Sequence, residues 1–242
     1  MNRYAIEIAY NGKRFHGWQK QLNAVSVQDE LDSKLSLLLR QSIETLGCGR
    51  TDTGVHAKQF VAHFDTLEPI NGDDIAYKLN RLMAKDVSCK KIWPVDAKFN
   101  ARFDAKWREY EYVITTKPNP FLTDYALLYA APLNIEKMNI GCGLLLKHTD
   151  FECFSKVHTQ VNNFNCQLME ANWRREGELL IFTIKANRFL RNMVRAIVGT
   201  LLKLGLNEID LNQLESILAS KNRSNAGVSV PAHALYLTKV SY

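Results

Sequence analysis

No apolar run in this 242-residue chain approaches the 18 or more residues that a membrane-spanning helix needs. The cysteines, at positions 48, 89, 142, 153 and 166, are odd in number and contain no C-x-x-C pair. That pattern argues against a disulfide framework and against a zinc site, and it fits a reducing compartment. The chain also lacks an internal sequence repeat. Met1-Asn2-Arg3-Tyr4-Ala5-Ile6-Glu7-Ile8 enters strand-like alternation at once, so no signal peptide is expected and the cytoplasm is the expected location. What is present is a core-forming composition, 46% hydrophobic, with a net charge of +6. The length suits one large domain or two of about 120 residues. The positive balance points to a polyanionic partner without naming one.

The most informative segment is Gly49-Arg50-Thr51-Asp52-Thr53-Gly54-Val55-His56-Ala57. It sets one carboxylate between two short hydroxyl residues, with glycines on either side and an arginine two positions earlier. Lys58 to Phe64 then alternates polar and apolar residues, as a half-buried strand does. Two readings of Asp52 follow. An aspartate before Thr-Gly commonly accepts a backbone hydrogen bond inside a turn. An acid on a loop that feeds a strand also has the rigid support that catalysis needs. Asp52-Thr53-Gly54 is the tripeptide of aspartic proteases, but those enzymes need two such aspartates sharing a proton. This chain has one copy, and no apolar strand leads into it.

Element order suggests two halves of similar build. The first has a strand at Tyr4 to Ala9, then a helix with Val27, Leu31, Leu35, Leu38 and Leu39 as its stripe, entered through Ser26 and Asp29. The loop of Asp52 and its strand come next, followed by a helix near 73–82 and a strand near 87–95. The second half has a strand around 109–115, a Pro-rich connection (Pro118, Pro120), and a helix near 135–146. A hairpin of 166–175 and 179–186 turns at Glu176-Gly177-Glu178. Helices near 190–204 and 211–219 follow, and a strand at 235–240 ends the pattern. At helical spacing Arg188, Arg191 and Arg195 share one face, opposite Leu190, Met193, Val194, Ile197 and Leu201.

The Asp52 segment resembles the catalytic loop of the pseudouridine synthases of the TruA type, which reads G-R-T-D-A-G-V-H-A, with Thr53 the one departure. Tyr10-Asn11-Gly12, Phe15-His16-Gly17-Trp18-Gln19-Lys20-Gln21 and Ser26-Val27-Gln28 are similar to that family's N-terminal elements. Asn100-Ala101-Arg102-Phe103 to Tyr110-Glu111-Tyr112 resembles its H-A-R-F…R-x-Y-x-Y. Ala186-Asn187 through Phe189-Leu190, Met193-Val194-Arg195 and Ile197-Val198-Gly199 matches its A-N-x-F-L-x-x-M-V-R-x-I-V-G. Ala226-Gly227 to Pro231 and Leu235-Tyr236-Leu237 resembles its C-terminal element, with His233-Ala234 departing from the usual glycine. The elements run in order along nearly the whole chain.

The resemblance implies an α+β fold of two ferredoxin-like halves, residues 1–104 and 105–242. Their antiparallel sheets join into one extended sheet with the catalytic cleft between them. It implies isomerisation of uridine to pseudouridine at positions 38, 39 and 40 in the anticodon stem-loop of transfer RNA, without cofactor, by a homodimer. Asp52 is the implied catalytic residue, acting as nucleophile or essential base; its route stays open among attack on C1′, attack on the base and removal of a sugar proton. Tyr110 is implied to contact the base, where pattern alone gives a half-buried core aromatic. Arg195 is implied to pair with Asp52, where pattern alone gives a solvated basic stripe, and Arg50 to aid base extrusion. Arg191 stands where relatives often carry histidine.

Lys13, Arg14 and Lys20 interleave with Phe15, His16 and Trp18, a basic-aromatic segment suited to an RNA backbone, as are Arg188 and Arg191. Trp18 also reads as core. His56, His63, Asp52 and Asp65 have no distinctive ligand spacing, so no metal is expected. His148, His158 and His233 show no recognisable partner set. Two rivals remain, a non-catalytic RNA-binding module and an enzyme with a different RNA substrate.

Overall fold

The computed structural model describes residues 1–157 and 161–242; His158 lies outside the described residues. The strands are β1 (Asn2–Tyr10), β2 (Leu46–Gly47), β3 (His56–Thr66), β4 (Val87–Pro94), β5 (Trp107–Thr115), β6 (Leu127–Leu128), β7 (Leu168–Glu176), β8 (Leu179–Ala186) and β9 (Leu235–Ser241). The helices are α1 (Val27–Leu39), α2 (Gly72–Leu82), α3 (Ile135–Leu145), α4 (Met193–Gly205) and α5 (Leu211–Ser220). The fold is α+β, and the chain divides into two compact units, Met1–Lys106 with Tyr236–Tyr242, and Trp107–Leu235.

In the first unit β1 pairs antiparallel with β3 on one side and β4 on the other, and β2 pairs antiparallel with β3. With α1 and α2 as the two crossovers, this is the βαββαβ ferredoxin-like order. The residues dictate it directly. Tyr4, Ile6, Ile8 and Tyr10 alternate onto one buried face of β1, and Phe64, Ala62 and Phe60 stand opposite the first three on β3. Ser26 caps α1 by accepting from Asp29 N–H, and Val27, Leu31 and Leu35 are buried along its inner side. The last strand, β9, joins β3 in parallel through His56–Tyr236 and Ala57–Leu237.

In the second unit β8 lies between β5 and β7, antiparallel to both. Tyr112, Phe182 and Trp173 stand opposite one another across these three strands, all buried. Gly177 turns the β7–β8 hairpin with φ +60°.

One expectation is corrected. α4 begins at Met193, because Asn192 adopts a left-handed conformation with φ +68° that an α-helix cannot contain. Arg188 and Arg191 therefore precede the helix and share no helical face with Arg195. Among the described residues no helix is long and apolar enough to cross a membrane. All five cysteines are buried thiols. Burial raises the pKa values of Cys89, Cys142 and Cys153 to about 12, which keeps these thiols protonated and unreactive.

Candidate active site

Asp52 begins a tight turn, closed by Val55 N–H donating to its carbonyl at 3.1 Å. Gly54, at φ +80°, provides the left-handed step that a side chain would resist. Both flanks of the turn are bonded to the segment that follows β1. Trp18 N–H donates to Thr51 O, and Gly54 N–H donates to Phe15 O, each at 3.3 Å. The backbones approach so closely that two side chains must be missing. A Cβ on Gly17 would lie 2.3 Å from Thr51 O, and one on Gly12 would lie 2.0 Å from Val55 O.

Side chains complete the bed. Trp18 is core, stacked on Phe60 with ring centroids 4.1 Å apart. The Thr51 hydroxyl lies 2.9 Å from that of Tyr10 in a buried contact. His56 accepts from Gly12 N–H at Nδ1, 3.1 Å, which leaves its ring proton on Nε2. Its ring also stacks on Tyr236. The turn is thus held at 51, 54, 55 and 56, while Asp52 is half-buried and Thr53 exposed. A carboxylate on a turn so supported is pre-positioned at little further entropic cost. Sequence reasoning assigned Tyr10, Gly12 and Gly17 no part in this; their motif was visible, but its contact with the Asp52 turn was not.

The basic residues of the first unit divide by partner. Arg50 is exposed, and its Nε donates to Gln19 Oε1 at 3.2 Å. Arg14 pairs with Asp86 at 3.0 Å and Lys20 with Asp29 at 3.5 Å, both near the surface, where such pairs are weak. Lys13 is exposed beside them.

His63 and Asp65 are committed to structure. His63 Nδ1 accepts from Ala101 N–H, and burial, with Arg3 nearby, lowers its pKa. Asp65 takes two bonds from the Arg3 guanidinium, which lower its pKa. Among the described residues no three His, Cys, Asp or Glu side chains gather to hold a metal ion.

In the second unit Tyr110 is half-buried on β5, its ring edge-on to Phe189 at 5.1 Å. Arg195 sits in the first turn of α4. Its Nε donates to Val230 O at 2.7 Å, and Val230 N–H donates back to Arg195 O at 3.2 Å. Tyr112 Oη donates to the next carbonyl, Pro231 O, at 2.9 Å. The 227–231 segment is drawn onto α4 by further bonds, from Gly227 N–H to Thr200 Oγ1 and from Asn192 to Ser229. Tyr112 and Arg195 thus meet on adjacent carbonyls, and Arg195 partly offsets the upward push that burial gives the Tyr112 hydroxyl. Arg188 reaches Asn163, and exposed Arg191 accepts from Lys156 N–H through its carbonyl. His148 has Glu215 as a partner at 2.9 Å, which the sequence did not disclose.

Comparison with known proteins adds an independent finding. The family described as tRNA pseudouridine synthase matches residues 145–242. The chain is 48% identical to the tRNA pseudouridine synthase A of Parabacteroides distasonis, covering 100% of this chain and 96% of that one. It is 46% identical to that of Bacteroides fragilis, with 100% and 97% covered. A more distant relative of the same name, from Francisella philomiragia, is 35% identical over 100% and 95%.

Proposed function

The chain belongs to the tRNA pseudouridine synthase A family, and from that premise we propose that it converts uridine to pseudouridine at positions 38, 39 and 40 of the transfer RNA anticodon stem-loop. The observation that carries the reading is Asp52, half-exposed on a turn held to the end of β1 and the segment after it through Thr51, Gly54 and His56.

The reaction breaks the bond from ribose C1′ to uracil N1 and forms one from C1′ to C5. The proton on C5 is lost and one is gained at N1, so atoms and electrons balance without a redox partner or water. A carboxylate suits this as a covalent nucleophile, on C1′ or on the base, or as the group that removes a sugar proton. A retaining glycosidase needs a second acid to protonate its departing group. Here the uracil is kept, and one carboxylate suffices. Asp52 is that group. Arg195 is the partner we propose for that carboxylate. Tyr110 stacks on or bonds the base. Arg50 fills the space of the extruded nucleotide or holds its phosphate, offsetting an extrusion cost of a few kcal/mol.

Lys13, Arg14, Lys20, Arg188 and Arg191 serve the RNA backbone. The first half carries the catalytic loop, and the second supplies Tyr110 and Arg195. The protein works in the cytoplasm as a homodimer, which a solution mass of twice 27.7 kDa would register.

The test compares wild type with Asp52→Ala on an unmodified transfer RNA bearing uridines at 38, 39 and 40. Pseudouridine is mapped by a chemical adduct that stops reverse transcription, and binding is measured in parallel. Conversion at those positions by wild type, absent in a variant that still binds, is the expected result. Binding without conversion by wild type would leave an RNA-binding module. Conversion elsewhere would keep the chemistry and overturn the substrate.

A further inference from the structure

The first turn of α1 is docked on the segment that carries Gln19. Val27 N–H donates to Gly17 O at 3.2 Å and Gln28 N–H to Trp18 O at 3.0 Å, which satisfies two N–H groups that a helix start leaves open. The Gln28 side chain, only 5% exposed, joins the same junction. Its Nε2 donates to Thr45 O at 2.7 Å, and its Oε1 accepts from Lys20 N–H at 2.9 Å.

These two backbone partners settle which way the amide points. A carbonyl can only accept and a backbone N–H can only donate, so Gln28 cannot be flipped without losing both bonds. Its Oε1 also faces Gln19 Nε2 at 3.2 Å. That end of Gln19 must therefore be its NH₂ group, and its oxygen is turned toward Arg50, whose Nε donates to it at 3.2 Å. The result is a directed chain from Thr45 O through Gln28 and Gln19 to Arg50. It uses one of the five guanidinium N–H donors; the other four are not part of it.

We infer that Gln19 and Gln28 are positioning residues that hold the Arg50 guanidinium ready beside the Asp52 turn for the RNA. This rests on the reading that Arg50 assists base extrusion. An exposed arginine samples many rotamers, and a relay that restricts them beforehand speeds the step in which Arg50 acts. The orientation of the chain is set by backbone atoms, so it survives exposure of its outer end. The side chain of Gln19 is bonded to Gln28 and Arg50, so it acts through Arg50.

The test is single-turnover pseudouridine formation on an unmodified transfer RNA, with wild type, Gln19→Met, Arg50→Ala and the double variant. Methionine keeps the length of residue 19 and removes both of its bonds. Transfer RNA affinity and thermal midpoint are measured alongside. Gln19→Met is expected to slow conversion about tenfold, with affinity changed less than about twofold and the midpoint unchanged. Added to Arg50→Ala, it is expected to slow nothing further, because the group it positions is gone. A Gln19→Met enzyme as fast as wild type would overturn the inference. So would equal slowing by Gln19→Met with and without Arg50, since that is the mark of a merely structural role. An Arg50→Ala enzyme as fast as wild type would also overturn it. A wild-type enzyme that makes no pseudouridine would sink the underlying reading as well, and the wild-type reaction alone distinguishes that case.

Discussion

The hydroxyls of Tyr10 and Thr51 lie 2.9 Å apart, buried where the end of β1 meets the turn of Asp52. Thr51 immediately precedes the proposed catalytic residue, so this bond ties the position of Asp52 to the central strand of the first unit. Tyr10→Phe removes it and leaves the Thr51 hydroxyl without that partner. The expected cost is about 1–2 kcal/mol of stability, read from urea unfolding. Conversion should slow more than transfer RNA affinity falls, because only the alignment of Asp52 is disturbed. Adding Thr51→Val should cost little more, since both changes delete the same bond.

Gly17 and Gly49 flank the same turn in space and in sequence, yet they should respond oppositely to alanine. Gly17 has φ +88° and a Cβ there would lie 2.3 Å from Thr51 O, a backbone atom with no freedom to move aside. Gly49 has nothing within 4 Å of its Cβ position. G17A is expected to lose about 2 kcal/mol or more and most of its activity. G49A is expected to fold as wild type does, shown by an unchanged thermal midpoint. Any activity lost in G49A would then mark close approach of the RNA to that position.

Local signals explain what could be read without coordinates. Val27, Leu31 and Leu35 recur at helical spacing, and Tyr4, Ile6 and Ile8 alternate, so α1 and β1 follow from side-chain periodicity alone. The start of α4 does not. Leu190 continues the helical period of Met193, Val194 and Ile197, and the left-handed backbone of Asn192 leaves no mark on that period. β9 pairs in parallel with β3 across some 180 residues of sequence, a long-range contact with no local cause. The bed beneath Asp52 was half legible: the glycines at 12 and 17 stood in recognisable motifs, but only the fold brings them against Thr51 and Val55. The path from Thr45 to Arg50 through two glutamines was not legible at all, since each bond joins segments 8 to 31 residues apart.

Arg195 offers a test of geometry against charge. Its Nε bonds Val230 O, and lysine cannot reproduce that bond while also presenting a planar fork. Arg195→Lys keeps the positive charge, so transfer RNA affinity should fall less than about threefold. Conversion is expected to drop more than tenfold in single-turnover assays. Equal losses in affinity and rate would instead assign Arg195 to general RNA attraction.

Asp32 predicts a stability effect that falls with rising pH. It is buried at the inner side of α1, where its Oδ1 accepts from Thr45 N–H at 3.0 Å and Thr45 Oγ1 at 2.7 Å. Burial outweighs those bonds and raises its pKa to about 6. An unfolded aspartate titrates near 4, so between about pH 4 and 6 the folded state holds more protons than the unfolded one. Stability contributed by this group is therefore full below about pH 4 and declines as pH rises through 6. The rise from near 4 to about 6 bounds the loss at about 3 kcal/mol. Asp32→Asn offers an amide oxygen to both Thr45 donors and carries no charge at any pH. Urea unfolding should find D32N and wild type of similar stability near pH 4, and D32N more stable by about 1–3 kcal/mol at pH 7.5. A gap of the same size at both values would refute the burial of an ionised carboxylate as its cause.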